Sequence, residues 1–100
     1  MSEDWPRVFA LAAEARTKAS DLVDAIRSGA IDLDEAHARA DADPMTGRVF
    51  AVKVYEAVPG IGKVRSRRTM AAIGLDDDIT LAEVPAERRA EITSRFAEPA

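Results

Sequence analysis

Pro59-Gly60-Ile61-Gly62-Lys63-Val64-Arg65-Ser66-Arg67-Arg68 is the stretch on which the reading of this chain turns. A Pro-Gly break ends whatever precedes it, and a second glycine two residues on leads into a basic, helix-competent run that continues to Gly74. Such a turn aims unpaired backbone N–H groups out in front of the next helix, where the helix dipole adds partial positive charge. Four cations follow within six residues, Lys63 to Arg68. Together these features read as a phosphate cradle suited to a nucleic-acid backbone. On a helical wheel Ser66, Thr69, Met70 and Ile73 share one side, Arg67, Arg68, Val64 and Ala71 the other, with Lys63 and Arg65 at the flanks.

Two glycine-rich alternatives fail. A nucleotide P-loop requires glycine five residues before its Gly-Lys-[Ser/Thr], but Ala57 stands there and Val64 follows Lys63. The dinucleotide fingerprint requires a third glycine where Arg65 stands.

Charge is distributed unevenly around this stretch. Residues 1–47 carry 5 basic and 10 acidic side chains, residues 48–68 carry 6 basic against Glu56 alone, and residues 69–100 carry 3 basic and 7 acidic. A basic island in a chain of net charge −4 suits local anion binding better than long-range attraction of the whole molecule. Asn and Gln are absent. These amides read adenine bidentately, so base-specific recognition loses two of its usual readers.

Working outward, residues 4–28 form one long helix by pattern. Trp5, Val8, Ala12, Ala15, Ala19, Leu22 and Ile26 alternate at spacings of three and four, widened by Phe9 and Val23, and the stripe is expected to pack on the core. Pro6 fits the first turn and Ser28-Gly29 the end. Asp32 caps a short helix over about 33–41, and Asp43-Pro44 opens another. Residues 48–58 fit a strand, through Val52-Lys53-Val54, and a helix nearly equally well. A last helix over about 85–96 buries Ile92 and Phe96, with Val84 just before it.

The chain of 100 residues has 47% apolar content and no cysteine, which removes disulfides, thiolate nucleophiles and cysteine-based zinc sites. No secretory signal and no membrane-spanning run is visible, so a cytoplasmic protein without membrane contact is expected. His37 is the sole histidine and has no positioned nucleophile, so it reads as structural or as a surface residue. Asp76-Asp77-Asp78 lacks the spaced ligands and distal Glu of a calcium loop and reads as a solvated loop or a helix cap. No enzyme, metal or cofactor is expected.

Val58-Pro59-Gly60-Ile61-Gly62-Lys63-Val64-Arg65-Ser66 resembles the signature of the actinobacterial (mycobacterial-type) integration host factor family. The resemblance extends to the first helix ending in Ser28-Gly29, to Asp43 and Gly47, to Tyr55-Glu56-Ala57-Val58-Pro59, to Met70 and to Arg88-Arg89…Arg95-Phe96. It implies a single all-α domain over 1–100, with a long helix at 4–28 packed on a helix-two-turns-helix core at 43–96, and residues 48–58 helical. It also implies a nucleoid-associated, monomeric protein that binds duplex DNA with little sequence preference and bends or compacts it.

The DNA-contacting residues would be Gly60, Ile61, Gly62, Lys63, Val64, Arg65, Arg67, Arg68 and Lys53, acting on about three to five phosphates. This chain departs from the family in a first helix with only Arg7, Arg16, Lys18 and Arg27 among several acids, and in Asp76-Asp77-Asp78 where relatives carry arginines. An acidic variant that meets a basic nucleoid protein through its surface is the alternative reading.

Overall fold

Leu33, Val54, Tyr55, Met70, Leu81, Val84 and Ile92 meet in one interior, joined from α1 by Leu22 and Ile26. A computed structural model describes residues 5–99, and the start of the first expected helix at residue 4 and the side chain of Trp5 lie outside it. The fold is all-α: α1 (Trp5–Arg27), α2 (Leu33–Ala42), α3 (Pro44–Gly47), α4 (Ala51–Glu56), α5 (Gly62–Ala72) and α6 (Ala86–Phe96), with a 3₁₀ turn at Leu81–Glu83.

The local punctuation works as its chemistry dictates. Asp32 accepts from the Glu35 N–H at 2.9 Å, and Asp34 and Glu35 place negative charge on the first turn of α2. Asp43 ends α2 and caps α3, accepting from the Met45 N–H at 3.0 Å, with Pro44 at the first helical position. Gly29 and Gly74 close α1 and α5 at φ 78° each, a conformation that costs other residues a Cβ clash. Gly47 is needed for a different reason. A Cβ there would meet the Ala40 carbonyl oxygen at 2.7 Å and the Ala82 Cβ at 2.9 Å, so α2, α3 and the 3₁₀ turn converge only over a glycine.

Residues 48–58 resolve mainly as helix. Phe50 is extended and forms an isolated antiparallel bridge with Thr80, with Ala51 N–H donating to Ile79 O at 2.9 Å and Leu81 N–H to Val49 O at 2.8 Å. From Ala51 the chain is helical, and Ala51, Val52, Val54 and Tyr55 are all buried. The strand-like alternation of Val52-Lys53-Val54 has a simple origin. A helix buried on most of its circumference, with Lys53 as one exposed spoke, gives the same local pattern as a half-buried strand.

The expected stripe of α1 is only half covered. Leu22 and Ile26 are buried and Ala15, Ala19 and Val23 half-buried, but Pro6 to Glu14 are exposed, including Val8 at 51% and Leu11 at 48%. A helix of 23 residues spans about 34 Å, whereas the molecule measures 53 × 27 × 23 Å. The short helices α3 and α4 reach only its C-terminal turns, so the N-terminal half projects. Lys18, bonded to Asp43, marks where the projection leaves the core.

Arg89 is the principal polar fastener. Its guanidinium holds Asp41 bidentately at 2.7 and 2.8 Å, and donates to Val84 O at 2.8 Å and Ala82 O at 3.2 Å. One side chain thereby ties α6 to α2 and to the 3₁₀ turn. The Asp41 carboxyl is held below its ordinary range by this bond.

Candidate nucleic-acid interface

The interface begins where α4 runs out. Val58 N–H donates to Tyr55 O at 3.2 Å and Ile61 N–H to Val58 O at 3.0 Å, closing a tight turn over Pro59-Gly60. Gly60 and Gly62 have φ of 82° and 74°, and a Cβ built on either would meet nothing within 4 Å. The glycines are therefore required by backbone conformation rather than by packing, and the space in front of them is open. Ile61 precedes α5 without a side-chain cap. The first-turn N–H groups of Gly62, Lys63 and Val64 lack intrahelical acceptors, so the positive end of α5 faces outward with uncapped donors.

Behind this turn α5 is sided as its sequence dictates. Ser66, Thr69, Met70 and Ile73 are buried, and Ser66 Oγ donates to Lys63 O at 3.0 Å. Val64 is 65% exposed. The cations, uniform by residue type, divide by partner. Lys63 and Arg68 are exposed and take part in no ion pair among the described residues. Arg65 turns to α6, where its Nη2 donates to Arg95 O at 2.9 Å and Glu98 O at 2.5 Å, satisfying helix-end carbonyls. Arg67 lies 3.5 Å from Asp77, and its Nε is buried without a partner. Lys53, on α4, sits 3.9 Å from Glu56, whose Oε2 is also buried without a partner.

A groove of about 500 Å³ runs alongside, bounded by Gly60, Ile61, Val64, Arg65 and Arg68 on one side and by Arg95, Glu98 and Pro99 on the other. Sequence reasoning placed Arg95 among residues resembling a family pattern but not at the site. No local signal links it to Gly60, because the tertiary packing of α6 on α5 creates the juxtaposition. Arg48 is likewise exposed and without an ion pair among the described residues.

The other candidates lie elsewhere. His37 is buried, its Nε2 2.8 Å from the Tyr55 hydroxyl, with the two rings edge to face and Phe96 packed edge-on against Tyr55. Burial first, and the nearby Arg89 charge second, push its pKa down to about 4; burial pushes the Tyr55 phenol up. His37 is thus a neutral core hydrogen-bonding group. Asp76, Asp77 and Asp78 are exposed, and Asp77 answers Arg67. No helix among the described residues is long and apolar enough to cross a membrane.

No protein-family model and no curated protein matches the chain. Among solved structures, a match covering 88% of this chain and 99% of the other, at a TM-score of 0.81 and 20% identity, is described as the structure of sIHF bound to an 8bp palindromic DNA. At that identity the likeness establishes architecture: this chain has the all-α fold of sIHF, a protein solved on DNA.

Proposed function

We propose that this protein is a nucleoid-associated architectural protein that grips duplex DNA by its phosphates. The reading rests above all on one feature, the uncapped N-terminus of α5 set behind two left-handed glycines and flanked by the unpaired cations Lys63 and Arg68. The backbone N–H groups of Gly60 and of Gly62 to Val64 receive one phosphate, Lys63 and Arg68 neutralise its neighbours, and Ile61 and Val64 supply apolar contact at the rim. Lys53, Arg65 and Arg67 contribute from positions already held by internal partners. The fold shared with a protein solved on DNA supports the assignment.

Sequence discrimination is expected to be low. Phosphate contacts position a protein without reading bases, and with no Asn or Gln only arginine–guanine contacts and duplex shape remain. Titration of a duplex at two salt concentrations tests the proposal: binding must weaken steeply with salt, and scrambled duplexes of equal composition must compete almost equally. Absence of binding at low salt would remove it.

A second reading draws on a different surface. A depression of about 600 Å³ is bordered by Asp32, Asp34 and Glu35, with Ile31, Ala38 and Arg39, the last bonded to Glu35, beside them. With three acids against Arg39 around it, this surface suits a basic nucleoid protein. It becomes the main reading if DNA does not bind while a basic partner does.

A further inference from the structure

On the duplex-binding reading, on which this assignment rests, we infer that α6 forms a second edge of the phosphate interface. Arg95 is a further phosphate-binding residue there, and Arg65 is the residue that positions it. Arg95 is exposed in the last turn of α6. It borders the same groove of about 500 Å³ as Gly60, Val64 and Arg68, so Arg68 and Arg95 stand on opposite walls beside the glycine turn. Among the described residues Glu98 is the one acid lining this groove, against Arg65, Arg68 and Arg95. The groove is therefore positive in a chain whose total charge is negative, and a strand of the duplex is the anion that fits it.

Arg95 is available because its natural partners are engaged elsewhere. Helical spacing offers it Glu91, four residues back on the same flank, and Glu98, three residues on. Glu91 is paired with Arg88 instead. Glu98 lies beyond the end of α6, and its recorded contact is through the backbone carbonyl, not the carboxylate. The Arg95 side chain thus takes part in no hydrogen bond or ion pair among the described residues. With Lys63 and Arg68 it makes a third unpaired cation around the turn.

A helix C-terminus is by itself a poor neighbour for phosphate, since its last carbonyls carry partial negative charge. Arg65 removes that obstacle. Its Nη2 donates to Arg95 O at 2.9 Å and to Glu98 O at 2.5 Å, which covers the carbonyl end of α6 with a cation and pins the last turn to α5. One of the two bonded carbonyls belongs to Arg95, so the anchor fixes the backbone from which that side chain leaves. Arg65 is half-buried with its donors spent on these carbonyls, and it acts on the duplex through Arg95.

The test is the salt dependence of duplex binding by the full chain, read by fluorescence anisotropy. Three contacts, from Lys63, Arg68 and Arg95, give a slope of log affinity against log salt of about −2.7. Arg95→Ala, which removes no internal bond, should bring the slope to about −1.8 and weaken binding about eightfold at ~0.1 M salt. Arg65→Ala should weaken binding about three- to eightfold, and the double variant R65A/R95A should bind within about twofold of Arg95→Ala alone, because the first residue acts through the second. Without DNA, backbone order parameters at Ala97 and Glu98 should fall in Arg65→Ala and hold in Arg95→Ala. If Arg95→Ala binds like the parent while the Lys63, Arg68 double alanine variant does not, α6 is no part of the interface. Losses from Arg65→Ala and Arg95→Ala that add, with a slope near −0.9 in the double variant, would make Arg65 a phosphate ligand in its own right and overturn its positioning role. Binding by neither the parent nor any variant at low salt would remove the duplex-binding reading itself, and the role of Arg95 with it.

Discussion

Replacing Lys63 and Arg68 together by alanine should weaken duplex binding about sixtyfold at ~0.1 M salt, with almost no effect on stability. Each phosphate contact contributes about 0.9 to the slope of log affinity against log salt. Taking ~1 M salt as the reference, one contact is worth about 0.9 log unit at ~0.1 M, and two are worth about 1.8. These two cations are chosen because the other cations of α4 and α5 are engaged: Arg65 with the carbonyls of Arg95 and Glu98, Arg67 with Asp77, Lys53 with Glu56. If one further contact comes from Arg48 or the engaged set, the parent slope should be about −2.7 and that of the variant about −0.9. Fluorescence anisotropy of a labelled duplex over a range of salt gives both numbers. Lys63 and Arg68 are exposed and helical, so alanine should alter stability by no more than about 0.5 kcal/mol. An affinity loss with an unchanged slope would show that neither side chain meets a phosphate, and the interface would have to be sought elsewhere.

Gly62→Val keeps the charge but forces a β-branched residue to φ 74°, at a cost of about 1–3 kcal/mol in stability, and should also weaken duplex binding. If the folded variant binds like the parent, the amide cradle is wrong and only side-chain charge remains. Asp77→Asn should release Arg67, tightening duplex binding by up to about eightfold at ~0.1 M salt and steepening the slope by about 0.9. No change would mean that Arg67 does not face the duplex. The buried His37 has a pKa near 4 against an ordinary 6.5, so as pH falls the unfolded chain takes up this proton first. Its contribution is intact above about pH 6.5 and is lost progressively between there and 4, amounting to about 3 kcal/mol. Urea midpoints of His37→Leu should therefore be flat between pH 6.5 and 5 where the parent declines, and an equal decline in both would acquit His37.

What was legible in the sequence is what local chemistry determines. Asp32 and Asp43 cap helices because a carboxylate one residue before a helix finds its free N–H groups whatever the rest of the molecule does. Gly29, Gly60, Gly62 and Gly74 take left-handed conformations at the ends of runs that read as helices. Residues 48–58 were not legible from pattern, since periodicity reports a contrast between faces and α4 is buried on nearly all of them. The stripe of α1 fails in the opposite way. Its period identifies which face is apolar, but whether a neighbour reaches that face depends on the lengths of α3 and α4, and they stop short of Val8.

The same division runs through the candidate site. Residue type and spacing put Lys63, Arg65, Arg67 and Arg68 on one basic helix, and all four lie on α5. Which of them is available to a ligand depends on residues distant in the chain: Arg65 is engaged by carbonyls 30 and 33 positions away, and Arg67 by Asp77. Arg89, equally basic in sequence, is committed to Asp41 and two carbonyls and supports the fold instead. A charge count over residues 48–68 therefore overstates the cationic surface open to a phosphate. The uncapped amides do not suffer this discount, because a left-handed glycine turn with open space before it has no side chain to be drawn away. In a chain of net charge −4, where acids outnumber basic side chains, a site built on backbone dipoles is the part of the interface least exposed to internal competition.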